Sequence, residues 1–360
     1  MIRVRKVTNW FQLWEFLRFP RRVYADIPHW VPPLTAYTWI SMGRLQEPEK
    51  AFYLVYRDGQ LRARAGFKVH RSHGYEALHF GYFEALPDSA AEVETLIHQG
   101  HQLAPHLPMR GPHHFRLEDP YTGLLTHGFD QDPYFLMSYN PAYYIELLEQ
   151  AGLSKSMDLH TYKFEAHTVR LDLMRSRAKR AESKGVTVQT MKPGALRAQV
   201  EQIAEIFNDA LSENWGFEPI EGQQLEELML LARWVLDPDK VFFAYKEERP
   251  VGCCIMLGDL NPMLKACNGK INWQLFHKYW TRHRWMNRLR GYALGVRKEN
   301  RADEVMGALV NGVMGLGQEG QWREVELSWI LETNRLMIAL AKALGGQHDK
   351  TYRILERPGR

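Results

Sequence analysis

A chain of 360 residues with 45% hydrophobic and 24% charged side chains has room for two domains of ordinary size and a globular composition, which excludes a disordered chain. Its net charge of +4 makes any attraction to anions a matter of local clustering, and no apolar run approaches the roughly 18–20 residues that span a bilayer. Cys253, Cys254 and Cys267 are too few for a disulfide framework and poor material for zinc; the stretch after Met1 lacks an apolar signal core, so a cytoplasmic protein with no membrane partner is expected.

In chain order, residues 10–24 have helical spacing of Phe11, Trp14, Phe16, Leu17 and Val23. Residues 52–56 and 61–69 read as strands around an Asp58-Gly59 hairpin turn, followed by a strand at 77–83 and an amphipathic helix at 90–104. A strand at 134–137 precedes a helix at 141–150 that Asn140 caps and Pro141 starts. Further on, helices are expected at 197–211, 223–236, 302–317 and 335–344, and strands at 241–245, 251–257, 290–296 and 325–330.

The plan reads twice. Trp30 near prolines is answered by Trp215 near Pro219, Phe52–Tyr56 by Val241–Tyr245, Asn140 by Asn334, and Thr161-Tyr162 by Thr351-Tyr352, all at offsets of 185 to 194 residues. Duplication predicts two α+β domains, each a mixed, mostly antiparallel sheet flanked by helices, at 1–167 and 168–360. No Gly-x-Gly-x-x-Gly opens a helix after a first strand, which argues against a doubly wound nucleotide fold.

The order of elements resembles the GNAT acyltransferase fold, in tandem as in N-myristoyltransferases and FemABX peptidyltransferases, and more closely an uncharacterised bacterial family of tandem GNAT-like proteins. The resemblance is carried by Trp30-Val31-Pro32-Pro33-Leu34, Gly81-Tyr82-Phe83-Glu84, Gly111-Pro112, Gly128-Phe129-Asp130, Asn140-Pro141 with Tyr143-Tyr144, Asn214-Trp215-Gly216-Phe217, and Ser328-Trp329-Ile330-Leu331-Glu332 followed by Asn334. It implies acetyl-CoA or another acyl-CoA as co-substrate and a small-molecule or peptide amine as acceptor. In such a fold a splayed strand offers its backbone to pantetheine, and the next helix presents bare amides to the diphosphate. The implied cofactor-binding residues are Leu294 and Val296 on the strand, Arg297, Lys298 and Arg301 toward the phosphates, and Asn334 near pantetheine. Glu326, alternating with Val325 and Leu327, is the candidate catalytic base, its competing reading being a polar strand face.

Two departures weaken the resemblance as an enzyme. The glycine positions of the fold's phosphate loop hold Glu304 and Met306, and the usual tyrosine seven residues beyond the asparagine is replaced by Ala341 in one half and Leu147 in the other. A non-catalytic binding module is therefore the alternative. A transferase using aminoacyl-transfer RNA is a third reading, for which the basic run between His277 and Arg301 faces nucleic acid; that run also reads as a solvated face. Arg170, Arg175, Arg177, Lys179 and Arg180 read as a solvated helix face. The histidines at 70, 73, 98, 101, 113 and 114 fall on different elements without a metal motif.

Overall fold

A computed structural model describes all residues except 73–74, 116–119, 166–167, 170–171 and 319–321. β1 (Ile2–Lys6), α1 (Trp10–Arg18), α2 (Pro20–Val23) and α3 (Thr35–Met42) lead into a meander of β2 (Lys50–Arg57), β3 (Gln60–Ser72) and β4 (Tyr75–Ala85). α4 (Ala90–His101) crosses to β5 (Met109–Gly111), and β6 (Leu124–His127), α5 (Tyr144–Gln150) and β7 (Ser154–Glu165) follow. Then come α6 (Asp172–Ser183), β8 (Val186–Thr190), α7 (Leu196–Ala210), α8 (Gln223–Val235), β9 (Val241–Lys246), β10 (Arg249–Gly258), α9 (Asn261–Ala266), α10 (Trp273–Trp280) and α11 (Arg282–Trp285). β11 (Arg288–Val296), a 3-10 turn at Lys298–Asp303, α12 (Val305–Gln318), β12 (Glu324–Leu331), α13 (Arg335–Ala343) and β13 (Gln347–Arg357) complete the chain.

These elements form two compact units, each discontinuous in sequence. The first contains Met1–Leu159, Asn261–Thr281 and Lys350–Arg360; the second contains His160–Leu260 and Arg282–Asp349. In the first unit the strand order is β1-β2-β3-β4-β5-β13, with β6 also on β13, so the last strand of the chain completes the first unit's sheet. In the second it is β8-β9-β10-β11-β12. Both sheets are mostly antiparallel. The parallel pairs, β4 with β5 and β11 with β12, are each joined by a helix that crosses over, α4 or α12. The expected α+β architecture is thus present in both units.

Three local expectations are corrected. The helix expected over 10–24 breaks before Pro20, which has no N–H to continue the ladder and instead starts the short α2. Asn9, not foreseen as a cap, closes a capping box with Gln12. Residues 134–137 form a turn and no strand: Met137 N–H bonds the Tyr134 carbonyl at 3.0 Å and Leu136 has φ 65°. Four apolar residues in a row bury equally well in either form. Asn140 does not cap a helix, since α5 begins at Tyr144. Its amide brackets β6 instead, accepting from Leu125 N–H at 2.7 Å and donating to the Leu125 carbonyl at 3.2 Å.

Candidate functional site

In the first unit, β4 and β5 pair only at Leu78 with Met109 and His79 with Arg110. One further bond, His113 N–H to the Phe80 carbonyl at 3.0 Å, holds the strands together past Pro112. That approach requires Gly81, where a Cβ would lie 1.8 Å from the His113 carbonyl oxygen. Beyond it β4 continues to Ala85 without a β5 partner, and a cavity of about 130 Å³ opens in the wedge. Tyr82, Phe83 and Glu84 form one wall and Pro112, His114 and Leu124 another. Tyr24 and Trp30, their rings stacked at 4.5 Å, close a third side.

The cavity carries a connected polar group. Arg64 on β3 is in register with Glu84 on β4, and its Nη2 lies 3.6 Å from Glu84 Oε1. Arg64 also donates to the Phe16 carbonyl and lies over the Phe16 ring at 4.3 Å. Tyr144 O–H donates to Glu84 Oε2 at 2.7 Å and accepts from Ala85 N–H at 2.8 Å. Tyr24 O–H donates to the Tyr139 carbonyl at 3.0 Å. Burial lifts the Glu84 carboxyl above the usual carboxylate range, opposed by the Arg64 charge and by the hydrogen bond from Tyr144. Burial, reinforced by the Glu84 charge, raises both phenols well above their ordinary value, so they stay protonated. The arrangement therefore sets a carboxylate with raised proton affinity against phenols able to donate.

The second unit has a comparable wedge. β11 and β12 pair from Arg288–Glu324 to Gly291–Leu327 and then part, while β11 stays paired with β10 as far as Val296 with Gly252. Leu294 and Val296 lie on the stretch beyond the last β12 pair. The three cations expected at phosphates turn toward α7 and the residues just after it. Arg297 donates to the Pro250 carbonyl at 3.0 Å and pairs with Glu205 at 3.1 Å; Lys298 Nζ meets Glu213 at 2.9 Å; Arg301 donates to the Ala210 carbonyl at 2.9 Å. Glu304, at φ 61° before α12, pairs with Arg177 at 3.6 Å and Arg180 at 3.4 Å. Two cations expected to be merely solvated thus neutralise the carboxylate at the start of α12. Asn334 caps α13, accepting from Met337 N–H at 3.2 Å, and Ala341 is fully buried. Glu326 is buried on β12, one residue before the strands part and in register with Arg290, whose Nε donates to Ser328 Oγ at 2.8 Å.

No family model matches this sequence. A tandem GNAT protein from the clavulanic acid biosynthesis pathway superimposes with a TM-score of 0.56 at 12% identity, covering 100% of this chain and 99% of the other. The chain has the tandem GNAT fold. A GCN5-related N-acetyltransferase from Sphaerobacter thermophilus gives a TM-score of 0.53 at 16% identity, covering 100% of this chain and 97% of the other. Among curated proteins, a bacterial ceramide synthase of Caulobacter vibrioides is 27% identical over 377 residues, covering 96% of this chain and 94% of its own. Protein YghO of Escherichia coli K12 is 25% identical over 382 residues, covering 98% and 95% respectively. Among the described residues, no helix is long and apolar enough to cross a membrane.

Four of the seven stretches that carry the sequence resemblance meet in the first unit: Trp30, Tyr82, Glu84, Pro112, Asn140 and Tyr144 all line its cavity. Sequence reasoning missed Arg64 and Tyr24. Arg64 stands between Ala63 and Ala65 on a strand that also carries Arg62 and Lys68, so the sequence does not single it out, and only strand register places it on Glu84. Neighbouring histidines are held neutral. His79 Nδ1 lies 2.6 Å from the Phe115 carbonyl and His114 stacks on Tyr82 at 4.0 Å; burial pushes both down to about 3. Because imidazole in an unfolded chain titrates near about 6.5, acid favours the unfolded state between about pH 6.5 and 3. Their contribution to stability is complete above that window and lost as pH falls through it. The urea midpoint should drop with acidification, and His114→Phe should flatten that dependence; an unchanged slope in the variant contradicts the assignment.

Proposed function

We propose that this chain is an acyl-CoA-dependent N-acyltransferase whose acceptor amine bears a long apolar chain, with the chemistry in the first unit's wedge. One observation carries the reading: the Glu84–Tyr144 carboxylate–phenol pair lies in a cavity that opens where two parallel strands part. The amine nitrogen attacks the thioester carbonyl and Glu84 accepts the proton it sheds. When the C–S bond breaks, the CoA thiolate takes a proton from Tyr144, which recovers one from Glu84 along their hydrogen bond. An N–H and a C–S bond are exchanged for a C–N and an S–H bond, and both side chains return to their starting state. His114 Nδ1, buried without a hydrogen-bond partner among the described residues, offers the ligand a further polar contact at the cavity wall. A ceramide is the amide of a fatty acid with a long-chain amino alcohol, so the name of the Caulobacter relative supports an acceptor of that class.

A second reading seats the thioester in the second unit, and the parting of β11 from β12 favours it. There Leu294 and Val296 offer backbone groups, Asn334 lies toward pantetheine, Arg297, Lys298 and Arg301 face the phosphates after releasing their present partners, and Glu326 is the base. Titration of decanoyl-CoA into wild type and Leu294→Trp separates the two. The first reading expects binding by wild type and an unchanged Kd in the variant. A loss of about tenfold or more, with the variant's fold intact by circular dichroism, moves the thioester to the second unit. Absence of binding by wild type overturns both and leaves a non-catalytic module.

A further inference from the structure

The first unit exposes an aromatic face that its own core does not use. On α1 the capping box orients Leu13 and Phe16 inward, and Trp10, Phe11 and Trp14 remain exposed, Phe11 by 84%. On α3 Trp39 and Ile40 are exposed, and the Trp39 ring meets Trp10 edge-on at 6.1 Å. On α10 the exposed side chains Trp273, Phe276 and Trp280 recur at i, i+3 and i+7, one helix face, with Trp273 71% exposed. The loop before α10 is tied to the first two helices' surroundings: Arg21 donates to the Asn268 carbonyl at 3.1 Å and Thr35 N–H to the Gly269 carbonyl at 3.1 Å. A groove lined by Trp10, Trp14, Trp39, Arg18, Arg21 and Lys270 runs through this face.

The three helices that carry it are poor in acidic side chains. α3 and α10 contain no acidic residue, and Glu15, the only one on α1, accepts the Tyr56 hydroxyl. Arg18, Arg21 and Lys270 line the groove and supply cations, and the Arg18 guanidinium lies over the Trp14 ring at 4.1 Å.

We propose that this face of the first unit docks on the surface of a bilayer that contains anionic lipid. Tryptophan and phenylalanine favour the headgroup boundary, where an apolar ring is buried and a polar edge stays wet, and flanking arginines and lysines meet lipid phosphates. Charge complementarity selects this occupant over a second copy, which would set the same cations against one another. Continuity adds to it: Leu17, Arg21 and Thr35 line both the groove and the Glu84 cavity, so a lipid leaving the bilayer meets the cavity from this side. The docking does not depend on the acyl-transfer reading.

Flotation of the full chain with vesicles tests it. Wild type should float with phosphatidylcholine vesicles containing phosphatidylglycerol, and much less with phosphatidylcholine alone or at high salt. The triple variant Phe11→Ser, Trp273→Ser, Phe276→Ser should partition about tenfold or more weakly, with melting temperature, decanoyl-CoA binding and turnover of a short, water-soluble amine unchanged. Equal flotation of wild type and triple variant overturns the proposal, as does absence of wild-type flotation. A wild-type dimer in sedimentation that the triple variant abolishes, without vesicle binding, reassigns the face to a second copy. Vesicle binding without acyl transfer would refute the enzyme reading alone.

Discussion

Glu84→Gln is expected to lower kcat for N-acyl transfer by about 10²–10⁴ while leaving acyl-CoA binding near wild type. Glutamine fills the same volume and still accepts the hydrogen bond that Tyr144 now gives to Glu84 at 2.7 Å, but it cannot take a proton from the amine. The pH profile separates this role from a packing role. Burial holds the Glu84 carboxyl above the usual carboxylate range, and only its ionised form is a base. Wild-type kcat/KM should therefore rise with pH through a limb above that range, and the variant should lack the limb. A variant with wild-type kcat, or one that keeps the same acid limb, removes Glu84 from the chemistry.

Arg64→Met is expected to destabilise the first unit by roughly 3–5 kcal/mol near neutral pH, because it leaves the Glu84 charge in the cavity without its cation. Methionine keeps most of the contact with Phe16, so the loss is mainly electrostatic. The sign with pH follows. Without Arg64 the folded-state pKa of Glu84 rises further, so the deficit is small in acid, where the carboxyl is protonated in both states, and grows as pH rises through the folded value. The double variant Arg64→Met, Glu84→Gln should recover most of the stability at neutral pH. Urea unfolding of the three variants checks this; equal loss in the single and double variants would show that Arg64 acts through packing alone.

Much of the fold is legible because local pattern decides it. β2, β3 and β4 are apolar runs punctuated by Asp58-Gly59, and α12 and α13 carry helical periodicity, so their positions follow from the chain alone. β7 and β13 were visible only as matching Thr-Tyr landmarks. β13 pairs with β5 and β6, which lie more than two hundred residues earlier, and no local pattern encodes such a partner. Alternation on β12 was read correctly as a strand but not its sidedness: Glu326 and Ser328 are buried while Val325 and Leu327 are only partly so. The site divides in the same way. Gly81-Tyr82-Phe83-Glu84, Asn140 and Tyr144 stand out in the sequence, yet nothing in it shows that they face one cavity with Arg64 and Tyr24. The cations from Arg297 to Arg301 stand out as well, and their turn toward α7 becomes visible only once Glu205 and Glu213 are seen beside them.

The most direct measurement is product analysis by mass spectrometry after mixing the purified chain with decanoyl-CoA and a long-chain amino alcohol. Wild type should yield one amide and one free CoA thiol per turnover, and Glu84→Gln almost neither. Thiol release without amide, or amide formation undiminished in Glu84→Gln, would contradict the proposed transfer.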